Sequence, residues 1–177
     1  MRLEKLLWSK AKSDIIKYLI FRRQWLSMRA LENEIERTFP AIKKQVDILA
    51  ETGIIEIEKT ELKWSIRLQN DFWEIMKNLY LLSLKNDIKD IFVKYPSMVE
   101  RCYFGKIFGA DVQLDLAIIH NGLCQEFLDE IKNNISIVCK EYFIENISLI
   151  FMTSKDFENR NRVWDRFVIN LIQKCKS

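Results

Sequence analysis

The chain has 177 residues, 49% hydrophobic and 30% charged, with 4 Gly and 2 Pro, a balance that excludes collagen-like, disordered and low-complexity classes and allows at most two small domains. Neither G-x-x-x-x-G-K-[ST] nor G-x-G-x-x-G occurs, so no glycine-rich phosphate loop is available. The net charge of +3 does not by itself announce a nucleic-acid protein, but residues 1–70 hold 14 basic and 10 acidic side chains, a net of +4, whereas residues 71–177 hold 14 and 15, a net of −1.

The opening stretch Met1 to Lys10 lacks a signal-peptide apolar run and a small-residue cleavage site, and no window approaches the roughly 18 apolar residues of a spanning helix. The expectation is a soluble cytoplasmic protein with no membrane partner. From Ser13 to Phe21, Ile15, Ile16, Leu19 and Ile20 recur at helical spacing after Ser13 or Asp14 as N-cap. Ser27 can cap a second helix that places Met28, Leu31 and Ile35 on one face and Arg29, Glu32 and Glu36 on the other. A third helix follows with Thr38 as cap, Pro40 in the first turn, Ile42, Val46 and Leu49 as the buried stripe, and Gly53 just past its end. Then Ile54–Glu58 and Trp64–Leu68 alternate apolar and polar residues about the polar tip 59–63, predicting a half-buried β-hairpin.

The order helix, helix, short turn, helix, hairpin over residues 13–69 resembles the winged helix-turn-helix of bacterial and archaeal transcription regulators. The run Ile42 to Ile55 is its most specific part, similar to a recognition helix passing into the wing. The resemblance implies binding of double-stranded DNA, with Lys43, Lys44 and Asp47, and Thr38 and Pro40 at the N-terminal end, turned toward a major groove. It also implies phosphate contacts from Arg29 and from Lys59 or Lys63 at the wing tip. Glu56, Glu58 and Glu61 oppose this, because carboxylates on or near the wing repel a phosphate backbone.

After Asn70 as N-cap, Phe72, Ile75, Leu79 and Leu82 recur at spacings of three and four, predicting a helix from Asp71 to about Val93 that Tyr95-Pro96 ends. Trp73, Met76, Tyr80, Leu81 and Leu84 make it apolar on more than one face. Either a second subunit covers the extra face, giving a homodimer, or the helix is sandwiched between two domains of one chain.

Past residue 97 the pattern becomes a small α/β unit, with strands at Val99–Phe104, Val112–Ile119 and Ile147–Met152 and helices at Leu123–Asn133 and Asp165–Lys174. Cys102, Cys124, Cys139 and Cys175 lie far apart without C-x-x-C and are read as buried free thiols. His120 is the only histidine, expected at a strand end with no catalytic partner. Tyr103-Phe104-Gly105-Lys106 followed by Asp111 to Ile118, with the later run Asn146 to Phe157, resembles a minimal nucleotidyltransferase, in which a Phe-Gly-Ser turn precedes a strand reading Ser-Asp-x-Asp-Leu. Against that pattern Asp115 holds the second acidic position, but Gln113 replaces the first, Ser148 stands where a third is often found, and Lys106 replaces the turn serine. Nucleotidyl transfer needs two or three carboxylates around divalent metals, and Asp111 lies about 13 Å along a strand from Asp115. The expectation is a degenerate domain with no catalytic residue, metal or cofactor, retaining a vestigial nucleotide site of Gly105, Lys106, Gln113, Asp115 and Ser148. There Lys106 is either an anion-binding cation or an exposed loop lysine.

The sequence therefore predicts an α+β chain: a winged helix-turn-helix over 1–70, a linking and dimerisation helix over 71–96, and a small, inactive α/β nucleotidyltransferase-like domain over 97–177 that serves sensing or protein interaction. Its leading reading is a DNA-binding transcriptional regulator. The alternatives are an active metal-dependent nucleotidyltransferase and an antitoxin-like module that masks a protein partner.

Overall fold

The computed structural model describes residues 9–22, 25–60, 64–108 and 113–174. Glu61, Leu62 and Lys63 of the expected hairpin tip, residues 23–24, residues 109–112 with Gly109 and Asp111, residues 175–177 with Cys175 and the first eight residues lie outside the described residues. The chain divides into two compact units, Met1–Ser83 and Leu84–Ser177.

The first unit contains α1 (Lys10–Arg22), β1 (Leu26–Ser27), α2 (Met28–Ile35), α3 (Phe39–Glu51), β2 (Ile55–Lys59) and β3 (Trp64–Leu68). Its strands form an antiparallel sheet in the order β1-β3-β2, so the element order and the hairpin are those of a winged helix. The apolar stripes fall where helical periodicity puts them: Ile15, Ile16 and Leu19 on α1, Met28, Leu31 and Ile35 on α2, and Ile42, Val46 and Leu49 on α3 are all buried. Each such side chain contributes about 1.5–3 kcal/mol of transfer free energy.

The helix ends show how local chemistry sets the turns. Ser27 caps α2 by accepting the Ala30 N–H at 3.1 Å. Thr38 stands at the N-cap of α3 but makes no side-chain cap; the Phe39 N–H instead donates to Glu32 Oε1 at 3.0 Å, so α2 caps α3 across the turn. Glu36 makes that turn in the left-handed region, φ 52°, which costs a non-glycine residue roughly 1–2 kcal/mol. At the other end of α3, Gly53 N–H donates to Ala50 O at 2.9 Å and Ile54 N–H to Leu49 O at 3.0 Å. This is a Schellman ending, and the φ of +73° at Gly53 is why glycine stands there.

The start of α1 differs from the sequence expectation. The helix begins at Lys10, so Ser13 lies inside it, fully buried, with its Oγ 3.0 Å from Tyr80 Oη. A serine that usually prefers a cap is satisfied by a tyrosine 67 residues away. Trp73 adds a second buried link by donating from Nε1 to Ile20 O at 3.2 Å. Both partners sit on α4 (Asn70–Phe92), which runs across the division between the units.

The second unit contains β4 (Val99–Phe108), β5 (Gln113–His120), α5 (Gln125–Glu141), β6 (Asn146–Thr153), α6 (Ser154–Arg162) and α7 (Arg166–Lys174). The sheet order is β4-β5-β6, with β4 antiparallel and β6 parallel to β5; α5 makes the crossover that a parallel pair requires. Alternation along the strands separates two faces. Tyr103, Ala117, Ile119 and Met152 pack with Phe157, Val168 and Leu171 of α6 and α7, while Cys102, Phe104, Leu116 and Ile118 are buried on the opposite face, where Lys85 Nζ lies 5.0 Å from the Phe104 ring centroid. Asp165 caps α7 through the N–H groups of Phe167 and Val168.

Burial pushes the Cys102 and Cys139 thiols up to about 12, so both are protonated structural residues. Cys124 departs from expectation: it is exposed, because it occupies the N-cap position of α5. No helix among the described residues is long and apolar enough to cross a membrane.

Candidate nucleic-acid interface

The third helix turns its charged side outward because Ile42, Val46 and Leu49 anchor the other. Thr38, Pro40, Lys43 and Lys44 are exposed and Asp47 is half-buried one turn beyond Lys43. Arg29 is exposed on α2, and Lys59 ends strand β2.

An organising residue appears that the sequence did not flag. Trp64, the register partner of Lys59 at the turn end of the hairpin, has Lys59 Nζ 4.3 Å and Lys43 Nζ 5.3 Å from its ring centroid. Both distances are within cation–π range. One indole therefore draws a lysine of α3 and a lysine of the wing into a single cationic cluster. Ordinary alternation explains Trp64 as a hairpin residue; only the tertiary fold makes it a platform.

The acidic wing is also modified by the fold. Glu56 pairs across the hairpin with Arg67, whose Nε and Nη2 lie 2.8 Å and 2.7 Å from Glu56 Oε2. Arg67 in turn lies 4.5 Å from the Trp25 ring centroid. Glu56 is thus compensated, leaving Glu58, among the described residues, as the exposed wing carboxylate without that pairing.

The nucleotidyltransferase-like residues fall in the other unit. Asp115 and Ser148 are register partners on parallel strands, as are Gln113 and Asn146, so the second and third acidic positions of that pattern do come together, as one carboxylate beside one hydroxyl. Among the described residues no three His, Cys, Asp or Glu side chains gather into a cation site. Gly105 departs from the pattern. It lies within β4, beside a register shift between Phe104 and Ile107, and Lys106 follows it in the same strand, where a turn and a loop were expected.

The glycine is required there by close approach: a Cβ at Gly105 would stand 2.6 Å from Asp115 Cβ and 3.2 Å from Asp115 O. Gly105→Ala is expected to destabilise the protein by about 1–3 kcal/mol in urea unfolding, and most of that penalty is expected to vanish in an Asp115→Gly background. Equal penalties in both backgrounds would show that the two residues do not collide.

His120 closes β5 as expected and is only 6% exposed; burial lowers its pKa below the ordinary 6.5. Above about pH 6.5 the ring is neutral in folded and unfolded chains alike; below it the unfolded chain takes up a proton that the folded one resists, so stability falls as pH drops. Thermal melts between about pH 7 and 5.5 should show that loss, and His120→Gln should flatten it. An unchanged slope in the variant would assign the loss to other groups.

No family model matches the chain, and no curated protein matches it. Solved structures that resemble it include Staphylococcus aureus MepR, a transcription regulator of the multidrug efflux pump MepA, with 13% identity over 78% of this chain and 82% of that one and a TM-score of 0.46. Streptococcus pneumoniae FabT in complex with DNA shows 12% identity over 75% and 73%, with a TM-score of 0.47. A mutant of Lactococcus lactis ZitR shows 12% identity over 76% and 75%, with a TM-score of 0.44. Likeness at this level leaves the functional reading to the chain's own geometry.

Proposed function

We propose that the chain is a DNA-binding transcriptional regulator that acts as a homodimer on double-stranded DNA. The observation that carries this reading is the Lys43–Trp64–Lys59 cluster, which joins the outward face of α3 to the hairpin. In a winged helix, α3 enters the major groove, with Thr38, Pro40, Lys43, Lys44 and Asp47 nearest the bases, while Arg29, Lys59 and Lys63 meet phosphates.

Dimerisation is supported by α4. Its inward face is Trp73 and Tyr80, whereas Phe72, Ile75 and Leu82 are 38%, 66% and 54% exposed, with Leu79 half-buried between them. Spacings of three, four and three make these residues an a/d seam, the pattern that buries against a second helix of the same kind. A two-fold dimer would present two α3 helices to two half-sites.

The C-terminal unit is read as a degenerate nucleotidyltransferase-like domain that serves sensing or protein interaction and has no transferase activity. The Asp115–Ser148 pairing supports it, since one carboxylate cannot supply the charge that two bridging metals need. The chain is placed in the cytoplasm, where its DNA target and its free thiols are at home. A gel-shift assay of the full chain on duplex DNA from its own upstream region tests the whole reading. Salt-sensitive retardation is expected, and no retardation at any salt concentration would overturn it.

A further inference from the structure

The second unit holds a cleft of ≈ 450 Å³ lined by His120, Leu128, Met152, Asp156, Arg160 and Phe167, a size that suits a small ligand. It lies at the C-terminal ends of the parallel strands β5 and β6, where His120 and Thr153 are register partners and α6 begins. Crevices at this edge of parallel strands are where open α/β sheets place ligands. Asp115 and Ser148 stand five residues upstream in the same two strands, roughly 17 Å away, so the cleft is separate from the nucleotidyltransferase-like positions.

Three features point to an occupant. His120 lines the cleft almost wholly buried, and its Nδ1 has no hydrogen-bond partner, a state that buried polar atoms rarely keep. Asp156 and Arg160 are both exposed and lie one turn apart on α6, about 6 Å along the axis. Asp156 Oδ2 accepts from Thr153 Oγ1 at 2.7 Å, which leaves its second oxygen available. Arg160 is not a partner in the Arg37–Asp14 or the Arg67–Glu56 ion pair. The remaining wall, Leu128, Met152 and Phe167, is apolar.

The two charges constrain the ligand. A plain anion drawn to Arg160 meets Asp156, and a plain cation drawn to Asp156 meets Arg160; a small molecule carrying both charges close together satisfies both. We propose that this cleft binds a free α-amino acid with an apolar side chain. The ammonium is shared between Asp156 and His120 Nδ1, the carboxylate lies on Arg160, and the side chain packs against Leu128 and Phe167. This site does not depend on the DNA-binding reading.

Because His120 is the only histidine of the chain, its imidazole gives one set of NMR signals, and these serve as the probe in the full-length protein. Titration with L-phenylalanine or L-leucine is expected to shift them saturably. Phenethylamine and 3-phenylpropionate, which each keep one charge, are expected to bind about tenfold more weakly. Arg160→Gln, at an exposed position, is expected to weaken amino-acid binding about tenfold and to strengthen phenethylamine binding, because the like charge that opposes it is gone. The absence of a saturable shift with either amino acid, equal binding of the single-charge analogues, or indifference to Arg160→Gln would each overturn the proposal.

Discussion

The double substitution Lys43→Ala, Lys44→Ala is expected to reduce affinity for duplex DNA from the chain's upstream region about a hundredfold, as two charge-assisted contacts worth about 1.5 kcal/mol each are lost. Both lysines are exposed, and α3 is held by Ile42, Val46 and Leu49, so circular dichroism and unfolding should stay close to wild type. Lys43 is expected to carry the larger share. Its ammonium is already positioned over Trp64 and loses less side-chain entropy on binding than a freely moving lysine. Lys140→Ala, an exposed change on α5 in the other unit, is the control and should leave affinity unchanged. If it weakens binding as much as the double substitution does, the contact surface is not the α3 face.

The second large effect concerns assembly. Ile75→Glu with Leu82→Glu places two carboxylates on the outward face of α4 without touching Trp73 or Tyr80, which hold the inward one. In a two-fold dimer the seam then carries four like charges where it had four apolar side chains. The dimer dissociation constant is expected to rise by at least about a thousandfold, which corresponds to about 4 kcal/mol and is modest for that many lost apolar contacts. Sedimentation velocity at micromolar concentration should show wild type as a dimer and the variant as a folded monomer. The variant should also lose most of its affinity for a two-half-site duplex, because the second half-site is no longer bound intramolecularly. A monomeric wild type, or a dimeric variant, would remove the seam from the account.

Features governed by local periodicity were legible in the sequence. The Ile42/Val46/Leu49 stripe, the Ser27 cap, the Gly53 ending and the hairpin depend on residues within one or two turns of each other, and the structure has them where the spacing puts them. Features that depend on distant partners were not. Ser13 reads as a cap, yet Tyr80 satisfies it inside α1. Phe72, Ile75, Leu79 and Leu82 form the cleanest apolar stripe of α4, yet the buried face in the first unit is Trp73 and Tyr80; periodicity finds two apolar faces but cannot choose the inward one. Gly105 reads as a turn glycine, whereas its lack of a side chain is demanded by Asp115 on the adjacent strand. The candidate interface divides in the same way. Lys43 and Lys44 were legible from the helical face they occupy, but the role of Trp64 in drawing Lys43 toward Lys59 exists only once α3 and the hairpin have packed. The compensation of Glu56 by Arg67 follows from strand register, which the sequence alone left open.

The central claim, that the α3 face and wing bind the phosphate backbone of duplex DNA, is tested most directly by fluorescence anisotropy of a labelled upstream duplex titrated with the protein at a series of salt concentrations. Log affinity should fall linearly with log salt, and the slope should become shallower by about 1.8 in Lys43→Ala, Lys44→Ala, as two phosphate contacts are removed. A slope that is the same in the double variant and in wild type, or wild-type binding that does not respond to salt, would contradict the account.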